Sequence, residues 1–295
     1  MRTLNFKDLK VVLNQALIPI ILVVVLPSAF LGWVAAGTFD LASLLAGLFI
    51  IATMDMAGNA LNNVADWKVD ELNKKRLELH RLVTRKQLLA LSLFLFLCSF
   101  PLLIIGNLYL KIAILIGYLV ACNYSIGLKT KNHLLLNYLT IALYYGPLAF
   151  LYGFLASSAD INLLASVSWM AIFIFLIDIG FSVTKDYEDV DGDRQENKLT
   201  MPVVYGKKWS LIYQFAIINL TYLSVSALVV IGIIRTWYLL VLPTYFIAMY
   251  ALYGVSSTDS KERFHTCHNI IRLTALLGRF LLAFIAWAIY SQIVT

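Results

Sequence analysis

Charge is scarce in this chain. Only 14% of its 295 residues are Asp, Glu, Lys or Arg, while 61% are hydrophobic; a soluble domain carries about 25% charged residues and about 45 to 50% apolar ones. That balance, with a mean hydropathy of +0.81, excludes an ordinary water-soluble fold. Cysteine is scarce as well. Cys98, Cys122 and Cys267 show no CxxC spacing, so neither a disulfide framework nor a thiolate metal site is expected. Only six prolines interrupt the chain, which leaves room for long unbroken helices. The four histidines include His265 and His268 in an HTCH run beside Cys267, where neither an acidic partner nor a metal site is expected. No short apolar segment followed by a small-residue cleavage site opens the chain, so no signal peptide is expected and the first apolar run is retained.

What the chain does have is long apolar runs. A helix crossing the hydrocarbon core needs about 20 apolar residues, and runs of that size fall at roughly 16–35, 41–61, 87–105, 108–123, 134–154, 163–184, 209–233, 236–254 and 270–293. Gly106-Asn107 divides the third from the fourth, and a break near Arg235 divides the seventh from the eighth. The expected fold is therefore all-α and polytopic, a single integral-membrane domain over 1–295 with about nine transmembrane helices. Basic residues orient it, because cytoplasmic loops collect Lys and Arg. With the N-terminus inside, 20 of the 23 basic residues fall in inner segments, Lys111 and Arg235 lie outside, and Arg279 falls within the last span. A multi-pass cell-membrane protein with its N-terminus and inner loops in the cytoplasm is expected. The net charge of +6 then reads as topology and attraction for anionic lipid or substrate. A nucleic-acid partner would need a soluble basic surface that is missing here, and no obligate protein partner is evident.

The 17 carboxylates are concentrated rather than scattered. After the second span, Asp55, Asn59, Asn62, Asp66 and Asp70 follow at intervals of 4, 3, 4 and 4, which a continuing helix places on one face. After the sixth, Asp178, Ser182, Asp186, Asp189 and Asp193 follow at 4, 4, 3 and 4. Both stripes leave the membrane on the same side. Facing carboxylates repel unless a cation sits between them, and hard oxygen donors select Mg²⁺ or Ca²⁺ over zinc or copper. Lys74, Lys75, Arg76, Arg81, Lys129, Lys185, Arg194 and Lys198 surround them. Acid and base together suggest a polyphosphate bound through bridging Mg²⁺ while Lys and Arg take its other oxygens. A single aspartate at a helix end is ordinarily just solvated; the matched sets at helical spacing argue for ligands. Asp55 and Asp178 lie deeper, where an ionisable group is costly, and pairing with Asn or Ser competes there with a metal role.

These residues resemble the two aspartate-rich motifs of the UbiA superfamily of intramembrane prenyltransferases: Asn62-xxx-Asp66-xxx-Asp70 after the second span and Lys185-Asp-x-x-Asp-x-x-x-Asp193 after the sixth. Tyr124-Ser125-Ile-Gly-Leu128-Lys129 is similar to the family's YSxxLK stretch, and Thr200-Met-Pro202-Val-Val-Tyr-Gly206 to its TxPVxxG. The resemblance implies helices around a central cavity, capped by acidic loops at about 62–86 and 185–208. It implies two Mg²⁺ held by Asn62, Asp66, Asp70, Asp186, Asp189 and Asp193, with Asp66, Asp70, Asp189, Asp193 and Lys185 as the catalytic set. Lys129 and Lys185, one or two of Lys75, Arg76 and Arg81, and the hydroxyls of Tyr124 and Ser125 would contact the pyrophosphate. The chain departs from the family at Asn14-Gln15-Ala16, where an Arg-Pro pair is frequent, and at His80-Arg81-Leu82-Val83-Thr84, where RPxxxG is frequent.

The implied reaction is Mg²⁺-dependent transfer of an isoprenyl group from its pyrophosphate to a lipophilic acceptor, an aromatic ring or a prenylglycerol phosphate. Ionisation of the allylic pyrophosphate needs its departing charge bound and its cation shielded from water. Tyr138, Tyr144, Tyr145, Phe150 and Tyr152 on the fifth span are candidate walls for that chamber, against ordinary packing. The competing class is a cation-coupled transporter, which would set its carboxylates near the bilayer midplane on broken helices. A lipid phosphatase would show a nucleophile with a histidine placed for acid-base work.

Overall fold

The computed structural model describes residues 5–17, 24–72, 76–195 and 197–294, and every element among them is helical. The chain opens with α1 (Phe6–Val12) and a π turn (Leu13–Leu17), then α2 (Leu26–Ala36) and the long α3 (Leu41–Leu72). A short α4 (Leu77–Leu82) leads to α5 (Arg85–Cys98), α6 (Phe100–Ile105) and α7 (Leu108–Ser125). After a 3-10 turn (Thr130–Asn132), α8 (Leu134–Leu143), a π turn (Tyr144–Leu148) and α9 (Ala149–Ser157) form one broken rod. Helix α10 (Ile161–Ser182) reaches α11 (Asp186–Gln195) through a 3-10 turn (Val183–Lys185), followed by α12 (Met201–Val230), a 3-10 turn (Thr236–Val241), α13 (Leu242–Ser256) and α14 (Lys261–Val294).

Eight stretches among the described residues are long and apolar enough to cross a membrane, and they coincide with the second to ninth expected spans. The expected first span, 16–35, falls partly outside the described residues; the 11-residue α2 is its described helix. Local chemistry sets the boundaries. Thr84 and Gln87 form a reciprocal capping box at the start of α5, the Asn107 side chain accepts from Leu110 N at 2.9 Å to start α7, and Asp160 caps α10, each satisfying amides that a helix start leaves open. The break near Arg235 is a turn through Gly232 at φ 76°.

Between helices in lipid, close packing replaces the hydrophobic effect, and small residues permit it. A Cβ on Gly32 would lie 1.9 Å from the Phe150 carbonyl oxygen, and one on Gly153 would lie 1.8 Å from that of Ala29. Helices α2 and α9 therefore touch through their backbones. The outer faces carry Leu93, Phe94, Leu97, Ile105, Leu223 and Phe246, all more than half exposed, as a lipid-facing belt requires. Helix α3 packs on α5, α7 and α9, and α10 on α8, α12 and α14, while α14 returns to α2 and α13. The space enclosed by α3, α7, α8, α10 and α14 is the cavity described next.

The expected cap loops are mostly helix. Helix α3 runs unbroken to Leu72, so the 55-to-70 stripe does stay on one helix. The second stripe does not. The 3-10 turn at Val183–Lys185 interrupts it, and the buried Gln214 side chain of α12 braces that turn by donating to both Gly180 O and Thr184 Oγ1 at 2.8 Å. In the TxPVxxG-like stretch, Pro202 sits in the first turn of α12, and Gly206 (φ 75°, ψ 170°) kinks the helix.

Candidate active site

A cavity of about 200 Å³ opens between the helices, with Asn62, Tyr124, Lys185 and His268 in its lining together with Asp55, Asp178 and Arg272. The remaining wall is largely apolar, including Val24, Val120, Ile141, Phe181 and Ile271. Around Asn62 and Lys185 the structure gathers most of the sequence-expected residues, each in a specific partnership.

On α3, the half-buried Asn62 accepts from Lys131 Nζ at 2.8 Å and from the buried Ser125 hydroxyl at 3.3 Å. Lys131 also pairs with Asp66. One turn further, the buried Asp70 pairs with Arg76 at 2.6 Å. On α11, the buried Asp186 accepts from the Tyr138 hydroxyl at 2.6 Å, and that same hydroxyl oxygen accepts from Met201 N at 2.8 Å. Tyr138 thus clamps α8, α11 and the start of α12 together. Asp193 lies 3.7 Å from Lys198, and Asp189 on α11 is exposed. Tyr124 donates to Asn137 Oδ1 at 3.3 Å. Lys129 is exposed at φ 50° and outside the cavity lining; Arg81 is exposed; Lys75 lies outside the described residues.

Besides Arg76, the cation that reaches the first carboxylate set is therefore Lys131, which sequence reasoning passed over. The 3-10 turn Thr130–Asn132 rolls the chain so that Lys131 points inward and Lys129 outward. Burial pulls the Lys131 pKa down, and Asp66 beside it pushes it back up. The available signal was two lysines in one short loop, a pair that only a turn geometry can rank.

Deeper in the bundle, Asp178 pairs with neither Asn nor Ser. Both its carboxylate oxygens accept from Arg279 Nη2, at 2.7 and 2.6 Å, while Arg279 Nε donates to Ser28 Oγ at 2.7 Å and Nη1 to Ala275 O at 3.1 Å. Two intramembrane charges of opposite sign were the signal for this pair, since either alone is costly in lipid. Asp55 accepts from Asn59 Nδ2 at 3.0 Å and from no cation among the described residues. Of the five aromatics on the fifth span, Tyr144 and Tyr145 line the cavity, Tyr138 is the clamp, and Phe150 and Tyr152 are packed in the core. His265 and His268 do have an acidic partner: their Nδ1 atoms lie 3.1 and 3.2 Å from the two oxygens of Glu188 on α11.

Among the described residues, no three His, Cys, Asp or Glu side chains are gathered as a ready-made metal cage. The donors are nonetheless hard oxygens on two helix ends, and the first set is balanced by Lys131 and Arg76, side chains flexible enough to exchange partners. That chemistry fits a hard divalent ion arriving with an anion that takes over those cations.

Residues 21–276 match the model of the UbiA prenyltransferase family. The chain belongs to that family. It is 24% identical to the digeranylgeranylglyceryl phosphate synthase of Thermococcus gammatolerans over 84% of this chain and 87% of that one. To the enzyme of the same name from Methanobrevibacter smithii it is 27% identical over 95% of each. Among solved structures, it resembles one from a study of digeranylgeranylglyceryl phosphate synthase in membranes (TM-score 0.70, 20% identity, 96% of this chain and 100% of that one). It also resembles a UbiA homologue from Archaeoglobus fulgidus bound to DMAPP and Mg²⁺ (TM-score 0.68, 16% identity, 90% and 98%). At those identities the structural likeness carries the fold, and the family match carries the chemistry. The protein is an integral-membrane prenyltransferase, and the cation-coupled transporter reading finds no support.

Proposed function

We propose that this prenyltransferase binds a prenyl pyrophosphate, with its tail in the apolar cavity and its pyrophosphate between α3 and α11, and transfers the isoprenyl group to a lipophilic acceptor there. The observation that carries this is the shared lining: Asn62 and Lys185, members of the two motif segments, border one cavity whose remaining wall is largely apolar. Asn62, Asp66 and Asp70 on one side and Asp186, Asp189 and Asp193 on the other would hold Mg²⁺, and two sets support two ions. When bound, Mg²⁺ supplies positive charge against the departing pyrophosphate.

The chain's own residues do the rest. Lys185 and Lys131 neutralise the pyrophosphate oxygens as the allylic carbon–oxygen bond breaks and its electron pair leaves with them. Arg76, once released from Asp70, can reach the same anion. Tyr144 and Tyr145 present ring faces that favour the carbocation, and the apolar wall keeps water from it. The acceptor supplies the electron pair for the new bond. Where the acceptor is an alcohol, its proton passes to Asp55, the cavity carboxylate without a cation partner among the described residues.

The names of the relatives favour a prenylglycerol phosphate as that alcohol. The basic-residue asymmetry supports the N-terminus and both acidic helix ends facing the cytoplasm, where water-soluble Mg²⁺ is available. The test is incubation of purified protein with labelled geranylgeranyl pyrophosphate, Mg²⁺ and a panel of acceptors, following pyrophosphate release and product. Acceptor-dependent release, lost with chelator, is expected. A protein that releases none with any acceptor overturns the reading.

A further inference from the structure

Helix α14 carries a polar stripe. His265, His268, Arg272 and Arg279 are separated by 3, 4 and 7 residues, which sets them along one helix face. Its two ends are closed by carboxylates from the opposing strut of α10 and α11: Glu188 lies against both histidines, and Asp178 takes Arg279. Arg272, between them, makes no hydrogen bond or ion pair with any described residue, and its buried Nε has no partner. It lines the cavity. The cavity carboxylates offer it nothing direct, since Asp178 is occupied by Arg279 and Asp55 accepts from Asn59.

A guanidinium held unpaired in an apolar chamber is expensive, and a fold retains one where an anion completes it. Lys185, on the 3-10 turn beside Asp186, already serves the pyrophosphate in the reading above. Arg272 stands on a different helix, α14, which packs against that turn. We propose that Arg272 is the docking point for an anionic head group on the acceptor, a phosphate monoester or a carboxylate, which its planar fork suits better than a lysine would. The inference rests on the prenyl-transfer reading. It makes the acceptor an amphiphile whose charged head is fixed at α14 while its nucleophilic atom faces the prenyl carbon.

The experiment compares charged and neutral acceptors in pairs: a prenylglyceryl phosphate against the same lipid lacking phosphate, and a hydroxybenzoate against its methyl ester. Kinetics are run with the unmodified protein, Arg272→Gln and Arg272→Lys, each checked for thermal unfolding in detergent. The unmodified protein prefers the charged member of one pair, and that pair identifies the source of the anion. In Arg272→Gln the acceptor KM rises about 10-fold to 100-fold, the loss expected for charge-assisted hydrogen bonds, and the preference collapses. The KM for prenyl pyrophosphate stays within about twofold of the unmodified value. Arg272→Lys, which keeps the charge without the fork, falls between them and decides the matter if the glutamine variant does not fold. A charge preference that survives in both variants overturns the proposal, as does a loss falling equally on prenyl pyrophosphate. Absence of pyrophosphate release by the unmodified protein with every acceptor instead sinks the prenyl-transfer reading itself.

Discussion

The buried pair Asp178–Arg279 gives the sharpest stability test. The two residues are 6% and 2% exposed, and Arg279 donates four hydrogen bonds, two of them to Asp178. Removing one member strands the other charge in a water-poor interior, which costs about 3–5 kcal/mol, whereas replacing both with apolar residues of similar volume is often neutral or better. Asp178→Leu and Arg279→Met should each lower the unfolding equilibrium constant's protection by about 10²-fold to 10⁴-fold, since about 1.4 kcal/mol is tenfold. The double variant should be more stable than either single one. Reversible unfolding in mixed detergent micelles, run as a double-mutant cycle, measures this directly. Chelator should shift all four proteins alike, because this pair closes on itself and holds no metal. Additive losses in the double variant, or a chelator effect confined to proteins that retain Asp178, would refute the argument.

Asp66→Ala and Asp189→Ala should each abolish turnover and weaken pyrophosphate binding, as chelator does to the unmodified protein; retained Mg²⁺-dependent transfer in both defeats the ligand assignment. Lys185→Ala and Lys131→Ala should cost on the order of 10²-fold to 10³-fold in the rate of transfer, by analogy with a lost oxyanion donor. Lys129→Ala, at an exposed position, should leave the rate within a few-fold, and equal losses at 129 and 131 would show that the 3-10 turn does not rank them. Calorimetry should find Mg²⁺ binding tightened about 5-fold to 150-fold by pyrophosphate, the ordinary range of coupling between sites; equal affinity with and without it removes the partner exchange argued below. Cysteine-accessibility labelling should place Lys86 and Asp191 on one side of the membrane, and opposite sides would separate the two halves of the site.

Much of this was legible in sequence because the governing signals are local. Span length follows from hydropathy, and the α6–α7 break follows from Gly106 and the capping amide of Asn107. The stripe from Asp55 to Asp70 needs only an unbroken helix, and α3 is one. Illegible features depend on distant partners. The turn before Asp186 is braced by Gln214, 30 residues beyond Thr184 in sequence. Arg279 finds Asp178 across 101 residues, and Glu188 meets His265 across 77. The choice of Lys131 over Lys129 was hidden for another reason: periodicity ranks residues on a helix, and the loop between α7 and α8 has none.

These partnerships also explain how a site built from so many carboxylates can exist before anything is bound. Six acidic or amide donors crowded on two helix ends would repel if left bare, yet Asp66 is held by Lys131, Asp70 by Arg76, and Asp186 by the Tyr138 hydroxyl. The fold thus offsets Asp66 and Asp70 with cations and gives Asp186 a neutral hydrogen-bond donor. A divalent cation alone must compete with Lys131 for Asp66 and with Arg76 for Asp70, and a pyrophosphate alone must compete with those carboxylates for the same two cations, so either one arriving singly breaks contacts without replacing both halves. Arriving together they exchange partners cleanly, cation to carboxylate and lysine to phosphate, and the total number of opposite-charge contacts rises. On the proposed reading, the arrangement therefore favours joint binding of metal and prenyl pyrophosphate over either alone, at the helix ends rather than in the cavity below them.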